Sequence, residues 1–127
     1  MTNKSTSFIE NKSQVIQFFN DGIKEKTNLR IGVEHEKFLF NKKDLKRIDY
    51  EKIKKVFELL KNNGWELQYE KDKIIGLKRK NQKITTEPGF QYELSGAPFK
   101  NIHLVCSENS SHFNELKEVF SSASITT

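Results

Sequence analysis

Apolar residues in this chain change their period from segment to segment, and each period names an element. Across residues 11–26, Val15, Phe18, Phe19 and Ile23 fall at i, i+3, i+4 and i+8, a single stripe on a helix that the pattern predicts to face a core. Residues 28–40, "NLRIGVEHEKFLF", alternate instead. Leu29, Ile31 and Val33 take one parity and Glu34, Glu36 and Phe38 the other, as in a strand. Asp49 is placed to cap a second helix whose stripe is Ile53, Val56, Phe57 and Leu60, and Asn63-Gly64 to stop it in left-handed backbone. Trp65 opens a series of strand-like runs, "WELQYE", "KIIGLKRK" and "KITTE", and Pro88-Gly89 turns the chain into "FQYELS". After Ser95-Gly96-Ala97-Pro98, a last helix is predicted from about residue 111, with Phe113, Leu116 and Phe120 on its buried side. Helix, strand, helix, hairpin-connected strands and helix define an α+β domain, a mostly antiparallel sheet flanked by helices.

Composition narrows the function classes. The 127 residues read as one domain, 1–127, with no internal repeat and no low-complexity linker. Lys and Arg outnumber Asp and Glu by 22 to 17, a net charge of +5, with acids interspersed among the bases. That mild bias suits anions such as nucleotides. It lacks the one-sided basic and aromatic cluster of a nucleic-acid binder, so no nucleic-acid partner is expected. The single Cys106 makes no internal disulfide and reads as a structural thiol in a reducing compartment. No apolar run reaches the length of a membrane span, and residues 1–10 lack the apolar core of a secretion signal. The expectation is a soluble cytoplasmic protein with no membrane partner. There is no HExxH, CxxC or Walker loop, and the pairing of His103 with Cys106 has no further residue to support it.

The chemistry-bearing residues concentrate in two runs. Glu34 and Glu36 stand two apart on one predicted strand, Gln91 and Glu93 two apart on another, and Glu87 just before the turn. Carboxylates gathered on one sheet face repel unless protons or cations compensate them, and an oxygen-rich set of this kind suits a hard divalent cation such as Mg²⁺, which shares its coordination with phosphate oxygens. The residues therefore outline a Mg²⁺–nucleotide site for phosphoryl transfer. The same Glu-x-Glu pattern also describes a solvated strand face, so pattern alone leaves both readings open. His35, on the opposite parity, reads as packed.

"IGVEHEKF" (31–38) followed by "ITTEPGFQYELSGAPFKNIH" (84–103), with "KNNGWE" and "IIGLKR" between them, resembles the N-terminal region of glutamate–cysteine ligase, plant-like and bacterial branch. In that branch the two motifs run close to IGTEHEKF and LEPGGQFELSGAP, and the likeness extends over about residues 10–120. The resemblance implies a glutamine synthetase-like catalytic fold and an ATP-dependent ligase. The glutamate side-chain carboxylate would be activated as a γ-glutamyl phosphate and joined to cysteine, the first step of glutathione synthesis. It implies Mg²⁺ with ATP, glutamate and cysteine as partners. By position it makes Glu34, Glu36 and Glu93 metal ligands, with Glu87 and Gln91 lining the substrate site. Phe90 replaces the family's second glycine after Glu-Pro-Gly, Thr86 its Leu and Val33 its Thr. A phenyl group at position 90 is expected to forbid the positive φ that glycine allows there. Family members are several times longer, so the chain is expected to be the N-terminal portion of a catalytic domain, associating with itself or with the remainder. The alternatives are a related ligase with another acceptor and a non-catalytic module keeping the fold.

Overall fold

The computed structural model describes residues 8–127, so the reading of the first ten residues as no secretion signal lies mostly outside the described part. The elements run α1 (Lys12–Asp21), a 3-10 turn (Lys26–Asn28), β1 (Glu34–Lys37), β2 (Phe40–Asn41), α2 (Tyr50–Lys61), β3 (Glu66–Glu70), β4 (Lys73–Arg79), β5 (Gln82–Glu87), β6 (Gln91–Ser95), α3 (Ile102–Ala123) and β7 (Ile125–Thr126). Strands β1-β6-β5-β4-β3 make one antiparallel five-stranded sheet, and β2 pairs with β7 in a small second one. The α+β expectation holds.

The register divides the main sheet into two faces. His35, Leu94, Ile84, Leu77 and Leu67 stand in one cross-strand row. Tyr92, Trp65 and this row's buried members form the core with Val56, Phe57 and Leu60 of α2 and Leu116, Val119 and Phe120 of α3. Alternation along each strand sends the neighbouring residues to the other face, and there Glu36, Glu93, Thr85, Gly76 and Gln68 form the matching row.

Helix α2 is built as its sequence dictates. The Asp49 side chain accepts the Lys52 N–H at 3.0 Å, the stripe of four residues is buried, and Gly64 turns the chain away at φ +83°. Three expectations need correction. Helix α1 ends at Asp21, packs on no other element, and leaves Phe18 and Phe19 largely exposed, as is Ile23 beyond its end, so the stripe faces no core within the described residues. The long strand of residues 28–40 reduces to β1 and β2, because the chain leaves the ladder beside Gly96 and pairs again only where Ile31 and Phe99 exchange two 2.8 Å backbone bonds. Helix α3 begins nine residues earlier than expected, at Ile102, capped by the Asn101 side chain on the Leu104 N–H at 3.1 Å. Its first two turns expose Ile102, Leu104 and Cys106, which hides them from a periodicity argument and makes Cys106 a surface thiol instead of a structural one.

Candidate functional site

Strands β1 and β6 lie side by side, which sets Glu36 directly opposite Glu93 and Glu34 opposite Ser95. Residues directly opposed on antiparallel strands share a face, so Glu34, Glu36, Gln91, Glu93 and Ser95 all project from the side away from the helices. On the other flank of β6, β5 brings Glu87 opposite Gln91, Thr85 opposite Glu93 and Lys83 opposite Ser95. Lys78 of β4 is opposite Lys83. The five residues singled out in the sequence thus share one sheet face, acidic at the β1–β6 end and basic two strands on.

Within the row the contacts are specific. The Gln91 side-chain amide donates to Glu36 Oε2, and the Ser95 hydroxyl donates to Glu93 Oε1 at 2.7 Å. Glu93 is only 8% exposed, while Glu34, Glu36 and Glu87 are open to solvent. Glu34 stands two residues from Glu36, about 7 Å along the strand, and beside it residues Gly32, Val33, Ser95 and Gly96 line a polar cleft of about 330 Å³. Among the described residues, no three His, Cys, Asp or Glu side chains converge into a ready-made metal centre. The donor chemistry nevertheless fits Mg²⁺, which takes one or two carboxylates and completes its octahedron with water and phosphate oxygens. Glu36 and Glu93 are the pair the register offers.

Behind the acid row lies a polar network that sequence reasoning missed. Arg79 Nη1 and Trp65 Nε1 both donate to Glu115 Oε1, at 2.9 and 3.1 Å, and Glu115 Oε2 contacts His112 Nδ1 at 3.2 Å. His112 is buried, with Nε2 3.1 Å from the Tyr92 hydroxyl, so the network touches the strand residue between Gln91 and Glu93. Burial alone would raise the Glu115 carboxyl, but the His112 bond, the Arg79 charge and the Trp65 and Arg79 bonds outweigh it and hold it below the ordinary range. Burial pushes the Tyr92 phenol well up, with the Glu115 charge adding to it. The available signal was His112 spaced four from Leu116 on a helix and three from Glu115. His35 packs as expected, edge-on to Phe113 at 4.8 Å, and Phe113 is only half-buried. Desolvation, with Lys37 and His112 nearby, lowers the His35 pKa.

An antiparallel sheet with helices on one face and an open, oxygen-rich row on the other is an α+β architecture consistent with the glutamine synthetase-like fold. The chain belongs to the family described as Glutamate-cysteine ligase family 2, which matches residues 30–125. It is 40% identical over 109 residues to glutamate–cysteine ligase A, chloroplastic, of Oryza sativa subsp. japonica, covering 85% of this chain and 22% of the relative. It is 41% identical over 109 residues to the chloroplastic glutamate–cysteine ligases of Arabidopsis thaliana and Brassica juncea, covering 85% of this chain and 21% of each. The chain therefore spans about one-fifth of the length of the curated relatives it matches.

Proposed function

We propose that this chain supplies the acidic wall of an ATP- and Mg²⁺-dependent ligase joining the side-chain carboxyl of glutamate to the amino group of cysteine. The observation that carries this reading is the register that sets Glu36 opposite Glu93 on the open face, inside the motifs of a glutamate–cysteine ligase family. In the reaction, a γ-carboxylate oxygen of glutamate attacks the terminal phosphorus of ATP and the bond to ADP breaks. The cysteine nitrogen then attacks the acyl carbon of the γ-glutamyl phosphate, phosphate leaves, and the amine loses a proton. Bound Mg²⁺ would neutralise charge on the phosphate oxygens.

Each residue has a task in this scheme. Glu36 and Glu93 hold the cation, with Glu34 within one strand repeat. The Gln91 amide orients Glu36, the Ser95 hydroxyl orients Glu93, and Glu87 lines the substrate side opposite Gln91. The exposed amines of Lys78 and Lys83, on the same face, attract the phosphate chain. A reducing, cytoplasmic location belongs to the same proposal and is supported by the lone cysteine. Among the described residues no helix is long and apolar enough to cross a membrane.

The test is a titration of the isotope-labelled chain with ATP and Mg²⁺, read by amide chemical shifts. Saturable changes at Glu36, Glu93 and Lys83 that vanish on chelating Mg²⁺ are expected. Changes elsewhere only, or none, contradict the reading.

A further inference from the structure

On α3, behind the end of the acid row, Glu108 makes contacts that the proposed chemistry does not use. Its carboxylate accepts the Ala97 backbone N–H on both oxygens, at 3.0 and 3.2 Å, and the Gln82 side-chain amide at 2.8 Å. Neither ion pair found among the described residues includes it. A half-buried carboxylate satisfied by neutral donors alone marks a place where the fold needs acceptors in fixed positions.

The loop is shaped around that carboxylate. A Cβ at Gly96 would stand 2.4 Å from Glu108 Oε2, with the Val33 carbonyl oxygen at 3.1 Å and Val33 Cγ1 at 3.2 Å. The Gly96 N–H donates to the same Val33 carbonyl at 2.8 Å. Residues 96 and 97 are thus clamped between a helix side chain and the backbone before β1. Ser95, whose hydroxyl holds Glu93, is the residue next to the clamp. Gln82 ties the clamp to the sheet, since its Oε1 accepts from Arg79 Nε at 3.1 Å.

We infer that Glu108 is a positioning residue: by fixing Gly96 and Ala97 it keeps Ser95 on the Glu93 carboxylate, and so keeps Glu93 aligned with Glu36 for a divalent cation. The inference rests on the cation-holding role given above to the acid row. Metal ligands depend on the groups that orient them, and losing such a group costs about 10–100-fold in affinity.

The experiment compares the 127-residue chain with Glu108→Ala, Glu108→Gln and, as a control, Val119→Ala, a buried core change on the same helix. The probes are Mn²⁺ alone, read as line broadening at the acid row, and metal-free amide exchange and chemical shifts. In Glu108→Ala, the Ala97 amide exchanges about tenfold faster, Ser95 and Glu93 shift, and Mn²⁺ affinity falls about tenfold or more. Glu108→Gln keeps the shape and an oxygen for Ala97 and Gln82, but loses the charge and replaces Oε2, the second acceptor of the Ala97 N–H, with a donor amide, so it falls between and carries the test if the alanine variant does not fold. Val119→Ala binds Mn²⁺ as the wild type does. Glu108 variants with wild-type Ala97 exchange and Glu93 shifts overturn the inference, as does an unchanged Mn²⁺ affinity beside altered spectra, or an equal loss in Val119→Ala. A wild-type chain that takes up no Mn²⁺ contradicts the cation reading instead, and Ala97 exchange and Glu93 shifts then decide the positioning role by themselves.

Discussion

Phe90 adopts φ +59°, next to Gly89 at +77°, so the β5–β6 turn takes left-handed backbone although it carries a phenyl group there. The sequence expectation that the side chain forbids this conformation is wrong. The conformation is strained, not excluded, at about 1 kcal/mol for a residue with a Cβ. The ring is 41% exposed, so it is not a core member whose removal costs several kcal/mol. Phe90→Gly relieves the strain while losing partial burial. Phe90→Ala loses the burial and keeps the strain. Chemical denaturation should therefore find the glycine variant about 1 kcal/mol more stable than the alanine variant. The reverse order would show that φ at this position is not what the turn depends on.

Glu115 makes a second residue-scale case. Its folded pKa is depressed below the unfolded value, so its contribution is complete above the unfolded pKa and is lost as pH falls through the folded one. His35, also depressed in the fold, is held neutral, so the unfolded chain takes up its proton first and acidification below about pH 6.5 costs stability in the same direction. Unfolding free energy should fall steadily from neutral pH downwards. Glu115→Gln should cost about 2 kcal/mol at neutral pH and flatten the acid end of that profile. An unaltered profile would place the acid sensitivity elsewhere.

At the scale of elements, α2 and the hairpin strands were legible because local and tertiary demands coincide. Asp49, the four-residue stripe and Gly64 each do in the fold what their type favours alone. The start of α3 was illegible because its first turns bury only Val105, and α1 was misread because an apolar stripe reports a helix without reporting what covers it. The difference is measurable. Phe57→Ala, in α2 and fully buried, should cost about 3–5 kcal/mol, while Phe18→Ser in α1 should change stability by less than about 0.5 kcal/mol. A large loss from Phe18→Ser would show that α1 packs on the domain in solution. Gly76 in β4 is a third test of packing. A Cβ there would meet the Ile84 carbonyl oxygen at 2.5 Å, backbone that cannot swing aside, so Gly76→Ala should cost about 1–3 kcal/mol and disturb the row through Thr85. Of the site, the shared face of Glu34, Glu36, Gln91 and Glu93 was readable from strand alternation. The exact opposition of Glu36 and Glu93 was not, because register is set by strand pairing distant in sequence. The Glu108 clamp was hidden for the same reason, eleven residues and a loop from Ala97.

For the molecule as a whole, the described residues build the acid row from one side only. Helices and core lie behind it, and none of the pockets that include its residues encloses it. Phosphoryl transfer and amide formation require nucleotide and both substrates held in alignment and shielded from water, which a single open wall does not provide. The 127-residue chain is accordingly expected to bind the cation without making dipeptide at enzymatic rates. The bare stripe of α1 is expected to drive concentration-dependent association, weakened by Phe18→Ser in sedimentation analysis. The first of these expectations depends on the central claim, that Glu36 and Glu93 together hold a hard divalent cation. The most direct measurement is Mn²⁺ titration of the labelled chain, with amide line broadening recorded for wild type, Glu36→Gln, Glu93→Gln and the double variant. Broadening centred on residues 34–36 and 91–95, weakened more than about tenfold by either single change and abolished by the double, is the expected result. Broadening that ignores these residues, or survives in the double variant, would contradict it.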